Sequence, residues 1–136
     1  MAMIMAIMVI VIIATIMALA LSLTSLTAKR TTDLYLHEQA VLYSKAAAEL
    51  ALLDIAKNGC TNSYNHTFGN ATEIQYDANI TMQYIYTTPV AGCNQYITIT
   101  TPQQSGSVLM DIAVTLHDAN LTSEPIRYFR RTIQKL

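Results

Sequence analysis

The first 28 residues of this chain contain no charged side chain, and that constrains every other reading of it. Every Lys, Arg, Asp and Glu lies between Lys29 and Lys135. Residues 1–21 read MAMIMAIMVIVIIATIMALAL, with Thr15 as the only polar member. As a helix this run is roughly 31 Å long, enough to cross the hydrocarbon core of a bilayer. It is long for the apolar part of a secretory signal, and no basic segment or small-residue cleavage site accompanies it, so retention in the working chain is expected. Ile4, Ile7, Ile10, Ile13 and Met17 are the candidate positions through which this helix assembles with others.

The nearest cations, Lys29 and Arg30, follow the apolar run. Cytoplasmic retention of positive flanks would place them inside the cell, together with Cys60 and Cys93 in a reducing compartment. A basic leader ahead of Met1, later removed, reconciles the two, and the sequence is read as a processed chain. The alternative keeps Met1 as the initiator.

Neither Gly nor Pro occurs before Gly59, so the helical pattern runs unbroken to about residue 57. Residues 22–32, SLTSLTAKRTT, form its weakest stretch, because Ser and Thr compete for backbone hydrogen bonds. Any bend or melting is expected there. Leu34, Val41, Ala48 and Ile55 recur every seven residues and Leu52 joins them, predicting a stripe laid on an apolar surface. With only about three heptads, a coiled coil is the lesser alternative.

Beyond Gly59 the texture becomes rich in Thr, Tyr, Ile and Asn. Alternation through Ile74, Tyr76, Ala78, Ile80, Met82, Tyr84 and Tyr86 predicts a strand. Tyr96, Ile97 and Ile99 mark a second strand, Val108 to Leu116 a third and Ile126 to Ile133 a fourth. Turn residues at 102–106 and 118–125 predict antiparallel hairpins. The expected class is α+β: a helix over about 1–57 whose C-terminal half packs on a three- or four-stranded antiparallel sheet. Residues 1–28 form the apolar helix and 29–136 a head, divided into amphipathic helix 29–57, loop 58–72 and sheet 73–135.

A net charge of −1 argues against nucleic-acid affinity. Arg127, Arg130, Arg131 and Lys135 read as a solvated edge strand guarded against aggregation. The cysteine pair fits a Cys60–Cys93 disulfide in an oxidising compartment, closing a loop of about 33 residues. No paired spacing suggests a metal, and four glycines provide no phosphate loop, so no cofactor is expected. His37, His66 and His117 are scattered over helix, loop and strand, and neither Ser44 nor Ser63 has a His/Asp pattern beside it; no catalytic constellation is legible. The eight Tyr read first as half-buried packing residues and second as a stacking surface for sugars.

Four Asn-x-Ser/Thr sequons occur, at Asn65, Asn70, Asn79 and Asn120. Asp77 precedes Asn79 by two positions, and Asp118 precedes Asn120 likewise, which resembles the extended acceptor of bacterial N-glycosylation. Asn79 and Asn120 are therefore the stronger candidates. Their other reading is that Asp and Asn are ordinary turn residues.

Uncharged start, continuing amphipathic helix, connecting loop, antiparallel sheet and late cysteine pair together resemble the type IV pilin and type II secretion pseudopilin superfamily. The resemblance spans the architecture of the whole chain; its sequence-specific part is limited to the first 57 or so residues. It implies an inner-membrane precursor, cleavage by a prepilin peptidase, methylation of Met1 and assembly by envelope machinery. It also implies a cell-surface filament with the helices at its core, built from copies of this chain and related pilins. Two positions depart from the family pattern. Met5 stands where the family carries a Glu that offsets a neighbour's terminal ammonium, which leaves open a main or a minor subunit. Ser22 stands where a Pro is usual, which puts a melted segment in doubt. The competing reading is a single-pass, membrane-anchored binding module that never polymerises.

Overall fold

The computed structural model describes residues 2–70, 72–86, 91–99, 106–118, 121–122 and 124–136. Helix α1 spans Ala2–Asn58 and is followed by strands β1 (Ser63–Phe68), β2 (Tyr76–Tyr86), β3 (Gln95–Thr98), β4 (Gly106–Leu116) and β5 (Arg127–Lys135). The class is α+β, as expected. The chain divides into two compact units, Met1–Tyr35 and Leu36–Leu136, so the division falls within α1.

In the first unit α1 continues through residues 22–32 without melting. The hydroxyls that lower helix propensity there are turned back onto the helix. Thr24 donates to the Ala20 carbonyl at 2.9 Å, Thr27 to Leu23 at 2.9 Å, Thr31 to Thr27 at 2.9 Å and Thr32 to Ala28 at 3.1 Å. Thr15 does the same with Ile12 at 2.8 Å. A hydroxyl satisfied in this way adds little polarity to the helix exterior.

In the second unit the helix lies on the sheet through a line of mostly small side chains. Leu36, Ala40, Ser44, Ala47, Ala48, Ala51 and Ile55 are buried. The expected heptad line is corrected at its start: Leu34 is 62% exposed, and Leu36 and Ala40 occupy the inner face instead. Steps of three and four residues keep that line on one side of an α-helix, and small residues let its backbone approach the sheet closely. Ser44 is buried without penalty because its hydroxyl donates to the Val41 carbonyl at 2.7 Å.

The helix ends at Gly59, whose φ of 83° is the left-handed conformation that glycine adopts without strain. Its amide still reaches the Ile55 carbonyl at 2.9 Å.

The strands run in the order β1-β2-β4-β5, with β3 also pairing β2. Central β2 pairs antiparallel with β4 along its whole length, from Tyr76↔Leu116 to Tyr86↔Gly106. Its other edge is shared: β1 takes Tyr76 to Thr81, and β3 takes Tyr84 to Tyr86. Alternate residues of β2 and β4 face the helix, namely Tyr76, Ala78, Ile80, Met82 and Tyr84 with Val108, Met110, Ile112, Val114 and Leu116.

Three expectations about the sheet need correction. It has five strands rather than three or four. The loop expected over 58–72 contains β1, whose Phe68 ring stacks on Tyr43 of the helix at 4.8 Å. Strand β3 pairs parallel with β2 instead of forming the expected antiparallel hairpin with β4, whose described partners are β2 and β5. Most of the expected turns at 102–106 and 118–125 falls outside the described residues. Among the described residues strand β5 pairs only with β4, and Arg127, Arg131 and Lys135 on it are exposed, as expected for a charged edge.

Candidate functional site

Two features of the chain offer surfaces for function. The first is the apolar part of α1. Its large side chains from Met3 to Leu21 are 48% to 82% exposed. The candidate assembly residues stand among them: Ile4 at 66%, Ile7 at 61%, Ile10 at 66%, Ile13 at 48% and Met17 at 63%. This helix is long and apolar enough to cross a membrane, with a mean hydropathy of 3.1 over its most apolar window. Met5 is 73% exposed, while Met1 lies outside the described residues. Its backbone is hydrogen-bonded internally and the Thr15 hydroxyl is turned onto the helix, so the segment can reside in an apolar environment.

The second feature is the sheet face turned away from the helix. Thr67, Asp77 and Thr115 occupy one row across β1, β2 and β4, and Asn65, Asn79 and Ala113 the next. Asn65, Thr67, Asp77 and Asn79 line one shallow polar groove. Asp77 Oδ1 accepts from the Thr67 hydroxyl at 2.8 Å, and its Oδ2 lies 2.7 Å from His117 Nδ1. Partial burial pushes the Asp77 carboxyl up, but the hydrogen bonds from His117 and Thr67 and the His117 charge outweigh it, leaving the pKa below its ordinary value. Two rows further along, Asp111 takes both Arg131 Nε and Nη2 at 2.6 Å, a two-pronged pair. Those bonds, opposed by partial desolvation and helped by the Arg131 charge, hold the Asp111 carboxyl below its usual range.

Asn65, Asn70 and Asn79 are all exposed, and Asn120 lies outside the described residues. The structure brings Asn65 and Asn79 together as direct cross-strand partners. That proximity is not legible in the sequence, where residues 58–72 read as a loop. The alternation of Tyr64, His66 and Phe68 was the signal available for it. His117 meets Asp77 across 40 residues of chain, with no local pattern to announce it.

The disulfide expected from the cysteine count is present. Cys60 and Cys93 are bonded, with Cα atoms 5.8 Å apart. Asn62 reinforces the same junction: its Nδ2 donates to the Gly92 carbonyl at 3.1 Å, and its Oδ1 accepts the Asn94 amide at 2.7 Å. Among the described residues no three His, Cys, Asp or Glu side chains group as metal ligands.

Compared with protein-family models, with characterised proteins and with solved structures, the chain shows no significant match to any.

Proposed function

We propose that this chain is a structural subunit of an extracellular pilus-like filament, polymerising through its uncharged N-terminal helix. The observation that carries the reading is the helix from Met3 to Leu21, which carries large, exposed apolar side chains on all its sides. An apolar surface of that extent calls for lipid or for partner helices. In this reading the segment rests in the inner membrane before assembly. Envelope machinery then draws it out, and neighbouring copies or related pilins replace the lipid. Burial of about 20 apolar side chains, each contributing roughly 1.5–3 kcal/mol as an upper bound, suffices for a non-covalent polymer. The resemblance of the sequence pattern, an uncharged start, an amphipathic continuation and a late cysteine pair, to type IV pilins and pseudopilins supports the same reading.

Ile10→Lys tests it. A charge within the apolar contact should abolish filaments seen by electron microscopy, while the disulfide-bonded head keeps its circular-dichroism spectrum. Normal filaments from that variant would sink the proposal.

Met5 favours a second reading. Without a carboxylate there, an ammonium at the head of a neighbouring helix would lack a counter-charge in an apolar core. A single-pass anchored binding module, or a minor pseudopilin outside the shaft, avoids that problem. N-terminal sequencing separates the two: a removed leader and a methylated Met1 fit the filament subunit, and an initiator Met in a chain that stays in the membrane fits the anchored module.

A further inference from the structure

We infer that Asn79 is the acceptor of an N-linked glycan on the outer sheet face, that it is modified before the sheet closes, and that Asn65 beside it stays bare. The inference rests on the extracytoplasmic placement of the head proposed above.

Successive strand residues point to opposite faces, so residues two apart point the same way. In β2 this places Asp77, Asn79 and Thr81 together on the outer face, while Ala78, Ile80 and Met82 are in the core. All three elements of the extended acceptor are therefore presented in one phase, with Asn79 and Thr81 exposed. A bulky group on Asn79 Nδ2 disturbs no packed residue. Its neighbours in the row are the short Asn65 on β1 and the small Ala113 on β4. Beyond Ala113 lies Phe129, 53% exposed, against which a first sugar ring could rest.

The folded strand is a poor substrate. Strand β2 is paired along both edges, and the Asp77 carboxylate is held by Thr67 and His117. Neither its backbone nor that carboxylate is free to enter a transferase cleft. Modification must precede pairing with β1 and β4, while the segment is extended during export. The reaction joins the sugar C1 to Asn79 Nδ2, breaks the C1–O bond of a lipid-linked glycosyl diphosphate and releases the lipid diphosphate and one amide proton.

Asn65 differs in two ways. Ser63, not an acid, stands two positions before it. Once folded, it faces Asn79 directly, at the roughly 5 Å Cβ spacing of opposed strand residues, beneath the glycan.

The sequence offers a clean assay. Chymotryptic cleavage after Tyr64, Phe68, Tyr76 and Tyr84 puts Asn65 in peptide 65–68, Asn70 in 69–76 and Asn79 in 77–84. Mass spectrometry of the chain from its native cells should find a glycan on peptide 77–84 and none on 65–68. Asn79→Gln should remove it, Asn65→Gln should leave it, and Asp77→Ala should lower its occupancy several-fold. A bare peptide 77–84, or sugar on 65–68, overturns the inference. Alkylation before reduction reads the thiols of the same sample: blocked cysteines keep the exported placement whatever the glycan result, and free cysteines overturn that placement separately.

Discussion

The phenol of Tyr84 holds Thr61 from both sides, donating to its carbonyl at 2.7 Å and accepting its amide at 2.9 Å. Tyr84 stands on the central strand, and Thr61 follows directly on the cysteine at the end of the helix. One ring thus satisfies two backbone groups of the chain where it leaves the helix. Desolvation raises the phenol's pKa, so it stays protonated and able to donate throughout the physiological range.

Tyr84→Phe leaves both Thr61 groups unpaired in a partly buried site. We expect a loss of about 1–3 kcal/mol, read as a lower midpoint in urea titration of the detergent-solubilised chain followed by circular dichroism. An unchanged midpoint would show that water replaces the phenol at no cost.

Opening the disulfide should cost about 3–4 kcal/mol, from the chain entropy released by a 33-residue loop. Paired Cys60→Ser and Cys93→Ser substitutions should give the same loss as reduction of the native chain. The head should still fold, because the two Asn62 bonds hold residues 92–94 independently. Complete unfolding of the double variant would show that those bonds cannot act alone.

Ala47 is fully buried on the face of α1 that meets the sheet. Ala47→Leu inserts three heavy atoms where the helix lies close to the strands. Overpacking of that kind costs about 1–3 kcal/mol, and thermal melting of the head should fall accordingly. A rise in melting temperature would reveal a void at this position.

Stability should weaken on the acid side through Asp111 and Asp77. Both carboxyls have folded pKa values below their ordinary ones. Such groups contribute their stability above the unfolded value, near 4, and lose it as pH falls through the folded value. The contribution is small because three of the four partners are well exposed: side-chain exposures are 42% for Asp77, 56% for His117 and 62% for Arg131, against 27% for Asp111. Asp111→Asn should lower the melting temperature slightly above pH 5, where the native carboxylate is charged and paired, and flatten the profile below pH 4, where variant and native chain converge. An unaltered acid limb would remove Asp111 from the account, and added salt should shrink the whole effect.

The sequence alone determined the long helix, its uncharged first part, the strands β2, β3, β4 and β5 and the cysteine pairing. Each of these rests on local information: residues three and four apart lie on one helix face, residues two apart lie on one strand face, and two cysteines have one possible partner each. Only the tertiary structure decided the rest. Strand β1 is held where Phe68 stacks on Tyr43 and six residues pair with β2; in its own sequence, Ser-Tyr-Asn-His-Thr-Phe, the alternation of Tyr64, His66 and Phe68 is the one local sign of a strand. Strand β3 runs parallel because the disulfide and Asn62 bring its start beside Tyr84, a partnership fixed at the helix end some 30 residues earlier. The inner face of α1 was selected by the small Ala40, Ser44, Ala47 and Ala51, which permit close approach, and not by the largest side chains in the segment. Asn65 and Asn79, and likewise Asp77 and His117, became neighbours through strand register. Register is set by pairing across the whole sheet, which no short window of sequence contains.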